Sequence, residues 1–259
     1  MRTISRCLCL GLVTATLGCG GVWTKADATE EFHQTYPLSA DGRVKLENVS
    51  GHIAITGWDR DEVKLDAVKR ANSQADLDAV KIEVDAGADR IAIHTKYPES
   101  KFWKKNNSTS VDYTLRVPRR ARLERIANVN GAISVADVAG DLQASTVNGG
   151  VDIAGAGGNV KASSVNGKVA AAFSAVAAGR SIALETVNGG VVVTLPADAN
   201  AEVSASSVNG GVSSELPLTM KSGVSSKGTL KGTLGSGGAR IKASAVNGGV
   251  KIRQAGTAK

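Results

Sequence analysis

The residue types that carry most enzyme chemistry are sparse in this chain and lie far apart in sequence. Its three histidines are His33, His52 and His94, and none has a second histidine at the short spacing that metal sites use. No serine lies in a Gly-x-Ser-x-Gly elbow, and the glycine-rich stretch 235–238 lacks the Lys-Ser/Thr ending of a phosphate-binding loop. The sequence therefore predicts no catalytic residue, no cofactor and no metal site.

The acidic residues do not form the clusters that polysaccharide-cleaving enzymes need. Asp137, Asp141, Asp152 and Asp198 recur at no fixed position in the pattern of the chain. We therefore expect that the protein is not an enzyme, with a carbohydrate-active enzyme as the alternative to be tested.

Basic residues provide the best candidate for a binding site. Five arginines surround Pro118, and three lysines precede it beside Phe102 and Trp103. Such a cluster would attract anionic envelope polymers, acidic glycans or lipid headgroups. The alternative is a solvated strand face with the two aromatic side chains folded onto neighbouring structure. The candidate residues are Lys101, Lys104, Lys105, Arg116, Arg119, Arg120, Arg122 and Arg125.

The start of the chain resembles an export signal. Arg2 and Arg6 precede an apolar run, 7–17, that is too short to cross a bilayer. A lipoprotein-like site predicts a signal peptide at 1–18, with Cys19 lipidated as a membrane anchor and a linker at 19–34. Cleavage after Ala28 is the alternative. Either way we expect an exported protein, in the cell envelope as a lipoprotein or in the periplasm.

Composition narrows the class further. All three cysteines, at positions 7, 9 and 19, belong to the leader, so the rest of the chain has no disulfide. Without Arg2 and Arg6 of the leader the net charge of +7 falls to +5, from 29 basic and 24 acidic residues, which is mild. An exported chain without a recognised binding module is not expected to bind nucleic acid. Hydrophobic residues make up 42% but aromatic residues only 3%, which favours a thin β structure with a core of small side chains.

The strongest signal is an internal repeat. Val-Asn-Gly recurs six times at steps of 18, 18, 22, 21 and 38 residues, the last being close to two steps. Each unit contains two short strands and two corners and cannot bury its own apolar face, so neighbouring units must stack. The predicted corner residues are Asn130, Gly131, Asn148, Gly149, Asn166, Gly167, Asn188, Gly189, Asn209, Gly210, Asn247 and Gly248.

This repeat predicts an all-β fold, a β-solenoid of about 18–22 residues per coil. In register, the asparagines can hydrogen-bond from one coil to the next. The valines of the motif, such as Val165 and Val187, are expected in the core. Because Asn-Gly is also a hairpin signal, an antiparallel meander is the alternative fold.

The residues before the repeats are expected to cap the solenoid. Alternating strands are predicted in this part, with a short helix from Ser73 to Val80 that Ser73 caps. The predicted organisation is a β-rich cap at 35–121 that includes a degenerate first repeat, the Val-Asn-Gly solenoid at 122–253, and a flexible tail at 254–259.

Three features together resemble the bacterial putative-adhesin family of exported domains of unknown function. They are Leu-Glu-Asn-Val-Ser-Gly at 46–51, Val-Asp-Tyr-Thr-Leu-Arg-Val-Pro at 111–118, and the serial Val-Asn-Gly-Gly-Val units. The resemblance implies a β-solenoid in the cell envelope, and it does not imply a particular activity. The expected function is a non-catalytic adhesin or scaffold, with a periplasmic sensory or assembly component as a further alternative. The sequence gives no expectation for the oligomeric state.

Overall fold

The computed structural model describes residues 28–98, 109–226 and 228–256. Most of the predicted leader and linker, including Cys19, and the predicted basic-aromatic segment 101–105 lie outside these ranges.

The N-terminal part of the described chain forms seven strands and one short helix. Its elements are β1 (Ala28–Pro37), β2 (Arg43–Glu47), β3 (Ile53–Trp58), β4 (Glu62–Ala71), α1 (Gln74–Ala79), β5 (Lys81–Ala86), β6 (Arg90–Lys96) and β7 (Ser110–Pro118). The predicted helix is present, and Ser73 caps it by accepting a hydrogen bond from the amide of Asp76 at 3.2 Å. In the described ranges, no helix is long and apolar enough to cross a bilayer.

The Val-Asn-Gly part of the chain alternates longer and shorter strands, as the repeat predicts. Its strands are β8 (Arg122–Asn130), β9 (Ile133–Ala136), β10 (Leu142–Asn148), β11 (Val151–Ala154), β12 (Val160–Asn166), β13 (Val169–Ala172), β14 (Ser181–Asn188), β15 (Val191–Leu195), β16 (Ala201–Asn209), β17 (Val212–Ser214), β18 (Thr219–Ser226), β19 (Thr229–Leu234), β20 (Ala239–Asn247) and β21 (Val250–Gln254).

The strands assemble into two sheets. Sheet A has the order β1-β4-β7-β3-β9-β11-β13-β15-β21-β17, and sheet B has the order β18-β19-β16-β20-β14-β12-β10-β8-β2-β6-β5. Each coil contributes one strand to each sheet, and neighbouring coils pair in parallel, as β10 does with both β8 and β12. The predicted β-solenoid is therefore confirmed, because a meander would make its neighbouring strands antiparallel.

The coils do not stack in the order of the chain at either end. The coil β2/β3 lies between β6/β7 and β8/β9, and the last coil, β20/β21, lies between β14/β15 and β16/β17. The 38-residue interval before the last Val-Asn-Gly is therefore not two stacked coils. It contains the antiparallel hairpin β18–β19 and the return of the chain into the gap beside β14.

Antiparallel strands close both ends of sheet B and one end of sheet A, whereas β17 is the edge at the other end of sheet A. In sheet A, β4 pairs with β7 and β1 with β4. In sheet B, β5 pairs with β6 at one end and β19 with β16 at the other. A continuous core of buried apolar side chains runs between the sheets through all the coils. The end strands cover edges that would otherwise expose unpaired backbone groups.

Candidate functional site

The predicted basic cluster is divided between the two sheets. Arg116 lies on β7 of sheet A, whereas Arg122 and Arg125 lie on β8 of sheet B. Arg119 and Arg120 occupy the turn that connects these two strands. Outside the described residues lie Lys101, Lys104 and Lys105. Residues that are adjacent in sequence are thus spread around one corner of the solenoid.

Three of these arginines are paired with carboxylates from distant parts of the chain. The pairs, each formed by the arginine Nε, are Arg119 with Asp59 at 2.9 Å, Arg120 with Asp41 at 2.8 Å and Arg125 with Glu47 at 2.7 Å. The hydrogen bond from Arg119 holds the pKa of Asp59 below its usual value. Local pairing reduces the charge that this corner can offer to an anionic ligand.

Arg116 makes a different contact. Its guanidinium carbon lies 5.9 Å from the ring centroid of Trp58, and that of Arg60 lies 5.0 Å from the same centroid. Both distances are in the range of cation–π interaction. The indole of Trp58 is itself oriented by the hydrogen bond that its Nε1 donates to the carbonyl of Glu62 at 2.8 Å. Arg116 therefore contributes to an aromatic contact on sheet A.

One histidine has a perturbed pKa. His33, on the edge strand β1, lies 2.7 Å from Asp66 and 3.2 Å from Glu31. The hydrogen bonds with Asp66 and Glu31 raise the pKa of His33. Partial burial acts to raise the pKa of Asp66, but hydrogen bonds from His33 and Lys64 outweigh it and the pKa is lowered. Among the described residues, no set of three or more His, Cys, Asp or Glu is arranged to hold a metal ion.

The six asparagines of the repeat form one continuous ladder along a corner of the solenoid. In five of them Nδ2 donates to the Oδ1 of the asparagine in a neighbouring coil at 2.8–2.9 Å, and Asn130 at the end of the ladder only accepts within it. The order of the ladder is Asn130, Asn148, Asn166, Asn188, Asn247 and Asn209. It follows the spatial order of the coils rather than the order of the chain, so the amides hold the out-of-sequence coil in register.

The glycines that follow these asparagines are required by a close approach between coils. A Cβ added to Gly167 would overlap the carbonyl oxygen of Gly149, and one added to Gly248 would overlap that of Gly189. Five of the six glycine amides also donate to the asparagine carbonyl of a neighbouring coil, as Gly149 does to Asn166 at 3.0 Å. Only glycine leaves room for the backbones to meet at this corner.

A second ladder, which the sequence interpretation missed, lies just inside this corner. The residue before each motif valine points inward and is buried. Four hydroxyls at this position donate to glycine carbonyls of the neighbouring coil at 2.7–3.0 Å. They belong to Thr146, Ser164, Thr186 and Ser207. In the last coil Ala245 occupies the position and has no hydroxyl to donate. The recurring Ser/Thr-Val-Asn-Gly pattern was the available signal.

The motif valines lie on the opposite face from the one expected. Val165 and Val187 are each 40% exposed, and the prediction that they belong to the core was wrong. The inward positions of β12 and β14 are taken instead by residues such as Ala162, Leu184 and Thr186. A strand has a side-chain period of two, so the buried hydroxyl before each valine turns that valine toward solvent.

Comparisons with known proteins extend the description of the fold. The family model described as Toastrack DUF4097 matches residues 35–253. No curated protein sequence matches the chain. A solved "putative cell adhesion protein" from Clostridium sporogenes aligns at 12% identity with a TM-score of 0.51, over 89% of this chain and 100% of its own. At that identity the likeness shows a shared fold and no more.

Two further solved structures are less similar. A "putative adhesin" from Bacteroides fragilis aligns at 13% identity with a TM-score of 0.36, over 90% of this chain and 98% of its own. A second "putative adhesin", from Parabacteroides merdae, aligns at 5% identity with a TM-score of 0.33, over 89% of this chain and 96% of its own. At these scores the two alignments add nothing to the argument.

Proposed function

The chain belongs to the Toastrack DUF4097 family, and on that premise we propose that it is a non-catalytic exported protein of the cell envelope, acting as an adhesin or scaffold. Its solenoid would present a flat, periodic surface to a partner. The surface that we assign to this role is the outer face of sheet B.

The observation that carries this proposal is the register of the outward side chains on sheet B. One outward row consists of Ser145, Ser163, Glu185, Ser244 and Ser206, each aligned with the next across the paired strands. Beside it runs the row of exposed motif valines, next to the asparagine ladder. In-register rows repeat every strand, about 4.8 Å apart. Such a surface suits an extended partner that has a repeating structure of its own.

Binding accounts for this surface better than catalysis does. The acidic residues on which solenoid chemistry would depend are dispersed: Asp152 lies on β11 of sheet A, whereas Asp141 and Asp198 lie in separate connections between strands. Glu185, the carboxylate in the serine row, is paired with Lys242 at 2.9 Å. A glycosidase needs converging carboxylates, and Asp141, Asp152 and Asp198 do not supply them.

Export and anchoring rest on the leader-like residues at the start of the chain. We expect that Cys19 is lipidated and tethers the solenoid to a membrane. The test is mass spectrometry of the mature N-terminus after membrane fractionation, with wild type compared with Cys19→Ser. A lipidated Cys19, with membrane association lost in the variant, would support the anchor. A chain that starts near Thr29 in the soluble fraction would contradict it.

The presenting face is tested by bulky neutral substitutions on each sheet. Ser145→Trp with Ser163→Trp alters the outer face of sheet B, and Ser134→Trp with Ala170→Trp is the matched control on sheet A. The purified proteins are incubated with isolated cell envelopes and the bound fraction is measured. Loss of binding in the sheet B variant alone would support the proposal. Equal binding by all three proteins, or no binding by wild type, would contradict it.

A further inference from the structure

A row of three lysines crosses the outer face of sheet B at one end of the solenoid. Lys161 on β12 aligns with Ala183 on β14, and Ala183 aligns with Lys242 on β20. Lys242 then aligns with Ser204 on β16, which aligns with Lys231 on β19. The lysines therefore occupy every second strand, with a small side chain between each pair. We call these three residues the lysine row.

The spacing of the lysine row follows from the strand spacing. Neighbouring strands are about 4.8 Å apart, so the lysines project at intervals of about 10 Å along the solenoid axis. All three side chains are exposed. Lys242 takes the middle place only because β20 returns into the gap between β14 and β16. Residues that are up to 81 positions apart in the chain are thus brought into one cross-strand row.

The charge of this row is largely available. Lys161 and Lys231 form no ion pair with any residue of the described chain, and Lys242 is paired with Glu185 at 2.9 Å. Arg240 is the neighbouring outward-facing residue on β20, two residues before Lys242. It is exposed, and it also has no carboxylate partner among the described residues. In contrast, Arg119, Arg120 and Arg125 are each paired with a carboxylate.

A shallow trough lies beside Lys231, Lys242 and Arg240. It has a volume of about 480 Å³ and is lined by Lys231, Lys242, Arg240, Ser181, Ser204 and Glu202. The serines offer hydroxyl donors and acceptors at the floor between the charges. The lysines lie about 10 Å apart with Ala183 and Ser204 between them. The surface therefore matches a ligand whose negative charges are sparse and evenly spaced.

We infer that the lysine row binds a linear acidic polysaccharide that carries one carboxylate on every second sugar. In such a polymer the carboxylates face the lysines, and the neutral sugars between them lie over Ala183 and Ser204. The inference rests on the proposed function and names the class of ligand that the outer face of sheet B takes. Ion pairs supply the attraction, and the spacing of the row supplies the selectivity.

The test measures the affinity of the purified chain for defined oligosaccharides at low ionic strength by titration calorimetry. The probes are a hyaluronan octasaccharide, with one carboxylate per disaccharide, a galacturonate octasaccharide, with one per sugar, and a neutral dextran oligosaccharide. The lysine row is removed in the variant K161A/K231A/K242A. The matched control is K168A/K251A/R253A, which loses the same charge from sheet A and its adjoining loop.

We expect hyaluronan to bind most tightly and the lysine-row variant to bind it about tenfold more weakly, with the control variant unchanged. Equal losses in the two variants, or equal affinity for the two acidic probes, would overturn the inference. Preferred binding to phosphatidylglycerol vesicles through the same lysines would also overturn it, in favour of a headgroup site. If the lysine-row variant still binds cell envelopes as wild type does, the inference fails but the proposed function stands.

Discussion

The N-terminal coils and the Val-Asn-Gly coils share one geometry but are held together by different means. The coils β2/β3 and β6/β7 fill the core with large side chains such as Leu46, Ile93 and Tyr113. Inside them the hydroxyls of Tyr113 and Thr95 form a buried hydrogen bond of 2.7 Å, and burial raises the pKa of Tyr113. The Val-Asn-Gly coils use small side chains such as Ala162 and Ala243 and rely on the ladders at their corner.

The outer surfaces of the two regions differ in a corresponding way. Around the N-terminal coils, ion pairs connect segments that are far apart in sequence, as Arg120 does with Asp41 and Lys45 with Glu124. In the later coils the ladders set the register, so charged side chains such as Lys161 and Lys231 have no pairing role. Where backbone contacts hold the coils together, the surface charges remain available for a ligand. The following predictions test this division of roles.

The largest effect is expected where two backbones meet. Gly167→Ala places a Cβ against the carbonyl of Gly149 and should lower the free energy of unfolding by about 3 kcal/mol, because neither backbone can move without breaking the ladders. Gly211→Ala is the control, since a Cβ there meets no atom within 4 Å. Equal stability of the two variants in urea denaturation would show that the corner is not closely packed.

The hydroxyl ladder should come next. Thr186→Val keeps the shape of the side chain but leaves the carbonyl of Gly167 without its buried donor, at a cost of about 2 kcal/mol. In contrast, Val187→Asp at the neighbouring exposed position should change the free energy of unfolding by less than about 0.5 kcal/mol. A greater loss from Val187→Asp than from Thr186→Val would contradict the register described above.

The break in the hydroxyl ladder can be repaired. Ala245→Ser adds a hydroxyl at the position aligned with Thr186, facing the carbonyl of Gly189, and should stabilise the protein by about 1 kcal/mol. A rise in the melting temperature would check this. Ala243→Ser, which places a hydroxyl deeper in the core without such an acceptor, should instead destabilise the protein. If neither substitution changes the melting temperature, the ladder contributes nothing at this coil.

The smallest effect concerns β1 and its pH dependence. The contacts of His33 with Asp66 and Glu31 raise its pKa, so protonated His33 stabilises the pairing of β1. This stabilisation is fully present below pH 6.5, the ordinary pKa of histidine, and is lost as the pH rises through the raised pKa. The pKa of Asp66 is lowered, so the stabilisation of β1 by its ionised carboxylate is present above pH 3.8, the ordinary pKa of aspartate. It is lost as the pH falls through the lowered pKa.

Hydrogen exchange of the β1 amides, corrected for the intrinsic rate, should therefore be slowest between these limits. His33→Gln should abolish the loss of protection above pH 6.5, while the amides of β12 should behave alike in both proteins. If β1 keeps the same pH profile after the substitution, a group other than His33 controls its attachment.

Much of the fold could be predicted from the sequence, whereas the candidate sites could be predicted only in part. The repeat predicted the coils, and the asparagine spacing predicted the ladder. The face taken by Val187 was predicted wrongly, because apolar character was taken as a sign of burial, whereas the buried residue of this pair is Thr186. The basic residues around Pro118 were selected as a cluster because they are adjacent in sequence, yet their partners Asp41, Glu47 and Asp59 are 60 or more residues away.

The sequence by itself determined the features that depend on local geometry. The length of each coil, the position of the corners and the helix at Gln74–Ala79 all follow from backbone preferences and short-range periodicity. Only the tertiary structure decided which coils are neighbours. The repeated coils present nearly identical edges, so local interactions do not distinguish one stacking order from another. The hairpin β18–β19 and the return of β20 beside β14 make that choice, and with it they create the lysine row.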